Sequence, residues 1–309
     1  MIVRPRPTAL QLFYTMRGSV IKQVFPQILF TGVLSALVVL AHNVAPGMLP
    51  DFSGAPFAVL GLAISIFLGF RNNACYDRWW EARRLWGQLI SSSRSFARQT
   101  LILECGAGEE GRIARLRLLS LLIAFAQSLV FHLRPSEAHR GKVVERLPPD
   151  LAERFHASRN PSNAIIQAIG HDLAALRARG LLSDIDFQSL DRTLGEMTFA
   201  QAGCERIRST PVPFGYTLLL HRTAHLFCLL LPFGFADVLD WFTPITVSLV
   251  AYTFFGLDAL GDELEEPFGT RSNALPIGAL ADTIEINLRE AMGETDLPPL
   301  PMPVDYLLM

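Results

Sequence analysis

The run APFAVLGLAISIFL, Ala55 to Leu68, carries no charge and passes without a turn residue into GFRNNACYDRWWEARRLWG, Gly69 to Gly87. Few structures tolerate that junction. Backbone polar groups in lipid must be satisfied internally, and a helix does this on both sides of a membrane surface. The junction therefore predicts one helix that leaves an apolar medium and continues into water. Composition fits such a chain. Half of the 309 residues are hydrophobic and 18% are charged, against roughly 25% charged in a typical soluble domain. Mean hydropathy is +0.31. Part of the chain belongs in a membrane and part in the cytosol.

The net charge of −2 and a pI near 6.4 give no electrostatic case for nucleic acid. Cys75, Cys105, Cys204 and Cys228 are scattered and form no CxxC pair, which argues against a disulfide framework or a zinc site. The N-terminus lacks the short apolar core and small-residue cleavage site of a signal peptide. The first long apolar run, from Ile28, reads as a retained span.

Five runs are apolar enough to consider: Ile28 to Ala41, Ala55 to Phe70, Leu118 to Leu133, Tyr216 to Phe235 and Phe242 to Leu257. Ala55 to Phe70 has roughly 16 residues, short of the ~20 that cross a bilayer unless the helix extends beyond it. Charge decides between four crossings and five. Residues 1–27 carry Arg4, Arg6, Arg17 and Lys22 and no acid, which places them in the cytoplasm. The loop His42 to Gly54 and the turn Ala236 to Asp240 lack Lys and Arg and face out. If Leu118 to Leu133 crossed, Arg134, Arg140, Lys142, Arg206 and Arg208 would flank the outer side. It is therefore read as a buried helix of a cytosolic domain.

The expected fold is all-α: four transmembrane helices plus a helical cytosolic region, with both termini cytoplasmic. Residues 1–27 form a cytosolic segment. Residues 28–70 hold transmembrane helices 1 and 2, the second continuing into the cytosol to about residue 105. Residues 106–215 form the cytosolic helical domain, 216–257 hold helices 3 and 4, and 258–309 form a cytosolic C-terminal segment.

Spacing in the second span is informative. Gly61, Ser65 and Gly69 recur every four residues and make a stripe suited to close helix packing in lipid. Leu62, Ile66 and Phe70 recur in the same way, about 100° further around the helix. Around an axis shared by several copies, that second stripe would stack apolar rings, a constriction that can gate by dewetting. Spacing alone favours ordinary packing, because such stripes occur in any bundle.

Other motifs are weaker. No phosphate loop, dinucleotide fingerprint or GxSxG is present. HRTAH, His221 to His225, puts two His on one helix face, as some metal sites do, but lacks a third ligand. Packing is the simpler reading. DELEE, Asp262 to Glu266, lacks the alternating oxygen ligands of a calcium loop and reads as a solvated charged face.

Three motifs in order resemble one family. SIFLGFRNNACYDRWWEARRLWG is similar to the signature of bestrophins, particularly bacterial ones. ERIRSTPVPFGY, Glu205 to Tyr216, resembles the segment leading into their third crossing, and EPFG, Glu266 to Gly269, the motif after the fourth. The resemblance implies a homopentameric channel for monovalent ions, lodged among membrane lipids in a bacterial inner (plasma) membrane, with no cofactor. It implies a neck lined by three residues of the second span, here Leu62, Ile66 and Phe70. That overrides the packing reading. It also implies a cytosolic aperture made by an apolar side chain at the start of a helix. This falls within NAIIQAI, Asn163 to Ile169, with Ile165 the expected residue.

Animal bestrophins are opened by calcium held by acids just after PFG. Here TRSNALP follows Gly269, so calcium is not expected to gate. The family includes anion channels, and bacterial relatives can favour cations. Asp51 in the outer loop would attract cations. Arg71 and Arg78 would attract anions, unless they pair with acids or lie outside the bundle. Selectivity stays open at this level. Two other classes remain: a membrane-anchored metal-dependent enzyme using the HRTAH pair, and a membrane scaffold.

Overall fold

The computed structural model describes residues 1–5, 8–45, 47 and 54–309. Among them the chain is all-helical. In order come α1 (Ala9–Tyr14), α2 (Ile21–Val44), α3 (Gly54–Gln99), α4 (Leu101–Leu133), α5 (Glu137–Arg146), α6 (Pro149–Ala157), α7 (Pro161–Ala178), α8 (Asp184–Ser209), α9 (Phe214–Leu239), α10 (Thr243–Glu265) and α11 (Ile277–Ala291). The junction at residues 68–71 lies inside α3, which runs unbroken through it. The chain forms two compact units. One comprises residues 4–79 and 211–267; the other comprises 1–3, 80–210 and 268–309.

Among the described residues, four helical stretches have the length and composition to cross a membrane. They are Ile21–Val44, Gly54–Gln99, Leu101–Leu133 and Phe214–Glu265. The last is α9 and α10, separated by a short 3-10 turn at Asp240–Phe242. Leu101–Leu133 stands apart. Its apolar window is 72% buried inside the protein, against 28%, 17% and 39% for the others. Of these candidates it leaves the least surface for lipid, while α2, α3 and the α9–α10 pair leave more of theirs uncovered.

In the first unit, α2, α9 and α10 pack on one another. Ile64 and Leu68 of α3 join a core with Phe227 and Leu231 of α9 and Val247 and Phe254 of α10. Small residues set the approach, as expected where lipid supplies no hydrophobic drive between helices. A Cβ at Gly32 would lie 2.7 Å from Ser248 Oγ, and one at Gly234 would lie 2.6 Å from the Phe57 ring.

The same unit buries an ionic cluster. The Arg71 side chain is fully buried. Its Nη1 donates to Asp258 Oδ1 at 2.8 Å, and its Nη2 donates to Asp262 and to Glu265 Oε2, the latter at 3.3 Å. The acidic run is thus not a solvated face. Asp262 and Glu265 are spent on Arg71, and buried Glu263 accepts from Gln23 Nε2 at 2.6 Å.

In the second unit α4 is the core, with α5, α7 and α11 packed around it. From Leu118 to Val130 almost every side chain of α4 is buried. Two buried polar residues sit in that run, Gln127 and Ser128. Gln127 donates to Asp282 and Glu285 and accepts from His139 Nδ1 at 2.9 Å. Burial, aided by the Lys142 charge, holds the His139 pKa below its ordinary value, which keeps the ring neutral. Caps fix where helices start. Asn160 accepts from the Asn163 N–H ahead of Pro161, and Ser183 and Asp186 form a reciprocal capping box on α8. Met1 and Val3 pair antiparallel with Leu308 and Tyr306, and the Met309 carbonyl accepts from the Ala279 N–H.

Removing one partner of a buried ion pair costs about 3–5 kcal/mol, because the other charge is stranded. Arg71→Met should lower the unfolding free energy of the detergent-solubilised protein by an amount in that range, read as a fall in its thermal midpoint. Arg71→Lys should recover only part of the loss, since an ammonium cannot fork across three carboxylates.

Candidate functional site

The α3 register sorts side chains by face. Ile64, Leu68, Arg71 and Cys75 point into the unit and are buried. Leu62, Ile66 and Phe70 lie roughly opposite, and are 64%, 50% and 61% exposed. Large apolar groups on a face turned from the chain's own core need another cover: lipid, a second copy or a lumen. Phe70 packs edge-on against Phe67, which is also half exposed.

The small-residue stripe behaves differently from its expected role within the chain. Gly61 makes a close approach: a Cβ there would sit 3.0 Å from the Phe227 ring. Ser65 turns its hydroxyl back onto the Gly61 carbonyl at 2.7 Å and stays exposed. Gly69 faces open space. The inward face follows the 64, 68, 71 and 75 spacing, so only one edge of the small stripe reaches α9.

Ile165, the residue expected at a cytosolic aperture, is 2% exposed and packed into the core of its own unit. At the start of α8, between Asp184 and Asp186, Ile185 is an apolar side chain 78% exposed.

The histidine pair has other partners. His221 Nδ1 lies 2.7 Å from Asp258 Oδ2, and His225 Nδ1 lies 2.8 Å from the His221 carbonyl. The ring centroids lie 4.2 Å apart, with the planes tilted by 42°. Among the described residues no three His, Cys, Asp or Glu side chains gather as a metal would need. Asp51, the outer-loop candidate for attracting cations, lies outside the described residues. Arg78 donates to the Glu265 carbonyl at 3.3 Å.

Three positions escaped the sequence reading. Asp258 binds both Arg71 and His221; a lone acid one residue past an apolar span was its signal. Arg134 closes the segment after EPFG, with Nε and Nη2 each 3.0 Å from the carbonyls of Phe268 and Leu275. Asp77 continues the outward register of α3 and is exposed.

Comparison with known proteins agrees with this architecture. The family model described as Bacterial/Fungal Bestrophin protein matches residues 1–290. The voltage-dependent anion channel-forming protein mll4386 of Mesorhizobium japonicum is 44% identical over 305 residues, 99% of this chain and 96% of that one. The voltage-dependent anion channel-forming protein YneE of Escherichia coli K12 is 41% identical over 298 residues, 96% of each. These are names of channels, not enzymes. A crystal structure of a bacterial bestrophin homolog from Klebsiella pneumoniae superposes with a TM-score of 0.83 at 38% identity, covering 89% of this chain and all of that one. The unbroken α3, its outward stripe, the four membrane helices and these matches together establish that this integral membrane protein belongs to the bacterial and fungal bestrophin family.

Proposed function

We propose that this protein is a homopentameric channel for monovalent ions, with an axial pore walled by α3. The observation that carries this reading is the exposed stripe Leu62, Ile66 and Phe70, opposite a buried face locked by Arg71. Five copies around an axis would stack three apolar rings into a neck. Apolar rings admit ions only when wetted, so the neck is also the gate. The names of the relatives, voltage-dependent anion channel-forming proteins, favour a channel over an enzyme or a scaffold.

Orientation follows from charge. Arg4, Arg6, Arg17 and Lys22 before α2, and the arginines after Phe70, favour a cytoplasmic N-terminus in the bacterial inner (plasma) membrane. An even number of crossings returns the C-terminus to the same side. α2, α9 and α10 then meet lipid, which fits their exposed apolar faces. A cytosolic aperture is assigned to Ile185 at the start of α8, because it is an exposed apolar side chain at the first turn of a helix.

Calcium has no place in this scheme. The segment after Gly269 is TRSNALP, without clustered carboxylates. The guanidinium of Arg134 already satisfies the carbonyls that bracket it. A fixed side-chain cation does not exchange with a free ion.

Four outcomes are expected. In planar bilayers, replacing Leu62, Ile66 and Phe70 together by Ala should raise open probability or conductance several-fold over the wild type; unchanged currents would remove the neck from α3. Ile185→Ala should alter conductance with little change in thermal midpoint. Ile165→Ala, by contrast, should cost about 2–5 kcal/mol of stability, as deleting buried methylenes does. Strong calcium chelation should leave open probability as it was, and reversible opening by micromolar calcium would refute the reading of the Arg134 closure.

A further inference from the structure

An apolar neck does not distinguish a cation from an anion of similar size, so the sign of the permeant ion must be set by fixed charge along the path. The register of α3 supplies one. Three and seven residues past Phe70 come Asn73 and Asp77, both exposed. At 100° per residue, Leu62, Ile66, Phe70, Asn73 and Asp77 fall within a sector of about 80°. They form one continuous stripe on one unbroken helix, apolar first and polar after.

Asp77 differs from the acids of α10. Asp258, Asp262 and Glu265 bind Arg71, and Glu263 binds Gln23. The Asp77 carboxylate has no hydrogen bond, ion pair or ring contact among the described residues. A carboxylate left unpaired keeps its full charge only where water and ions reach it. We propose that Asp77 is the charge-selecting residue of the pore. Five copies would place a ring of carboxylates just inside the neck, attracting hydrated monovalent cations and repelling anions. This rests on α3 being the pore wall. The next charge in the same sector is Arg84, seven residues further on. Screening limits a charge's reach to roughly 8–10 Å at physiological salt. The ring nearer the dry neck therefore governs which ion enters it, and Asp77 precedes Arg84.

The test is the reversal potential of the purified full-length protein in planar bilayers under asymmetric KCl. Wild type, Asp77→Asn, Asp77→Lys and Arg84→Gln are compared. The wild type should favour K+ over Cl−. Asp77→Asn should lower that permeability ratio by about fivefold, the effect of one unit charge ~4 Å away in water. Asp77→Lys should invert it, and Arg84→Gln should move it less than Asp77→Asn does. Conducting channels whose ratio ignores both Asp77 variants, or a wild type that favours Cl−, would overturn the assignment while leaving the pore intact. Absence of current from the wild type and from the Leu62, Ile66 and Phe70 triple variant would sink the pore reading, and Asp77 with it.

Discussion

A fully buried guanidinium is expensive. Taking an ion out of water costs several kcal/mol even after relaxation, and only close partners offset it. Arg71 has three, all from α10. The consequence is directional. Arg71 follows Phe70 in sequence, and neighbours on a helix differ by about 100°. Once Arg71 is tied to α10, Phe70 points away from the core, and Ile66 and Leu62 follow at four-residue steps. The outward stripe owes its orientation to a charge cluster as much as to hydrophobicity. Asp258 extends the cluster by accepting from His221 of α9, so three of the four membrane helices share one polar junction.

Two apolar runs of similar composition end in opposite environments. Ala55 to Phe70 keeps large side chains exposed, whereas Leu118 to Leu133 is covered on all sides by α5, α7 and α11. Hydropathy does not separate them. The placement of Lys and Arg does, because charge beside a span reflects the side of the membrane on which it stays. The helical continuity at Gly69 was legible in sequence, as was the spacing that puts Leu62, Ile66 and Phe70 on one face. Partners distant in sequence were not. Arg71 and its acids are nearly 200 residues apart, so the run at Asp262 to Glu266 looked like a solvated face. The burial of Ile165 was not legible for a related reason: a short apolar helix start does not reveal which of its faces the tertiary core will take.

Guanidinium groups recur where a mobile ion is an alternative. Arg71 holds three carboxylates together in one unit, and Arg134 gathers two carbonyls in the other. Both are covalently part of the chain and remain charged at any physiological pH.

The unbroken course of α3 turns sequence position into length. Each residue advances 1.5 Å, so the step from Leu62 to Phe70 measures about 12 Å and the step from Phe70 to Asp77 about 10 Å more. Any probe of depth, such as a blocker that senses part of the voltage drop or a thiol label at successive positions, can be read against this scale without further structural knowledge. A kink or loop near the junction would have erased the graduation. The chain has neither between Gly54 and Gln99, and the helix is therefore its own ruler along its axis.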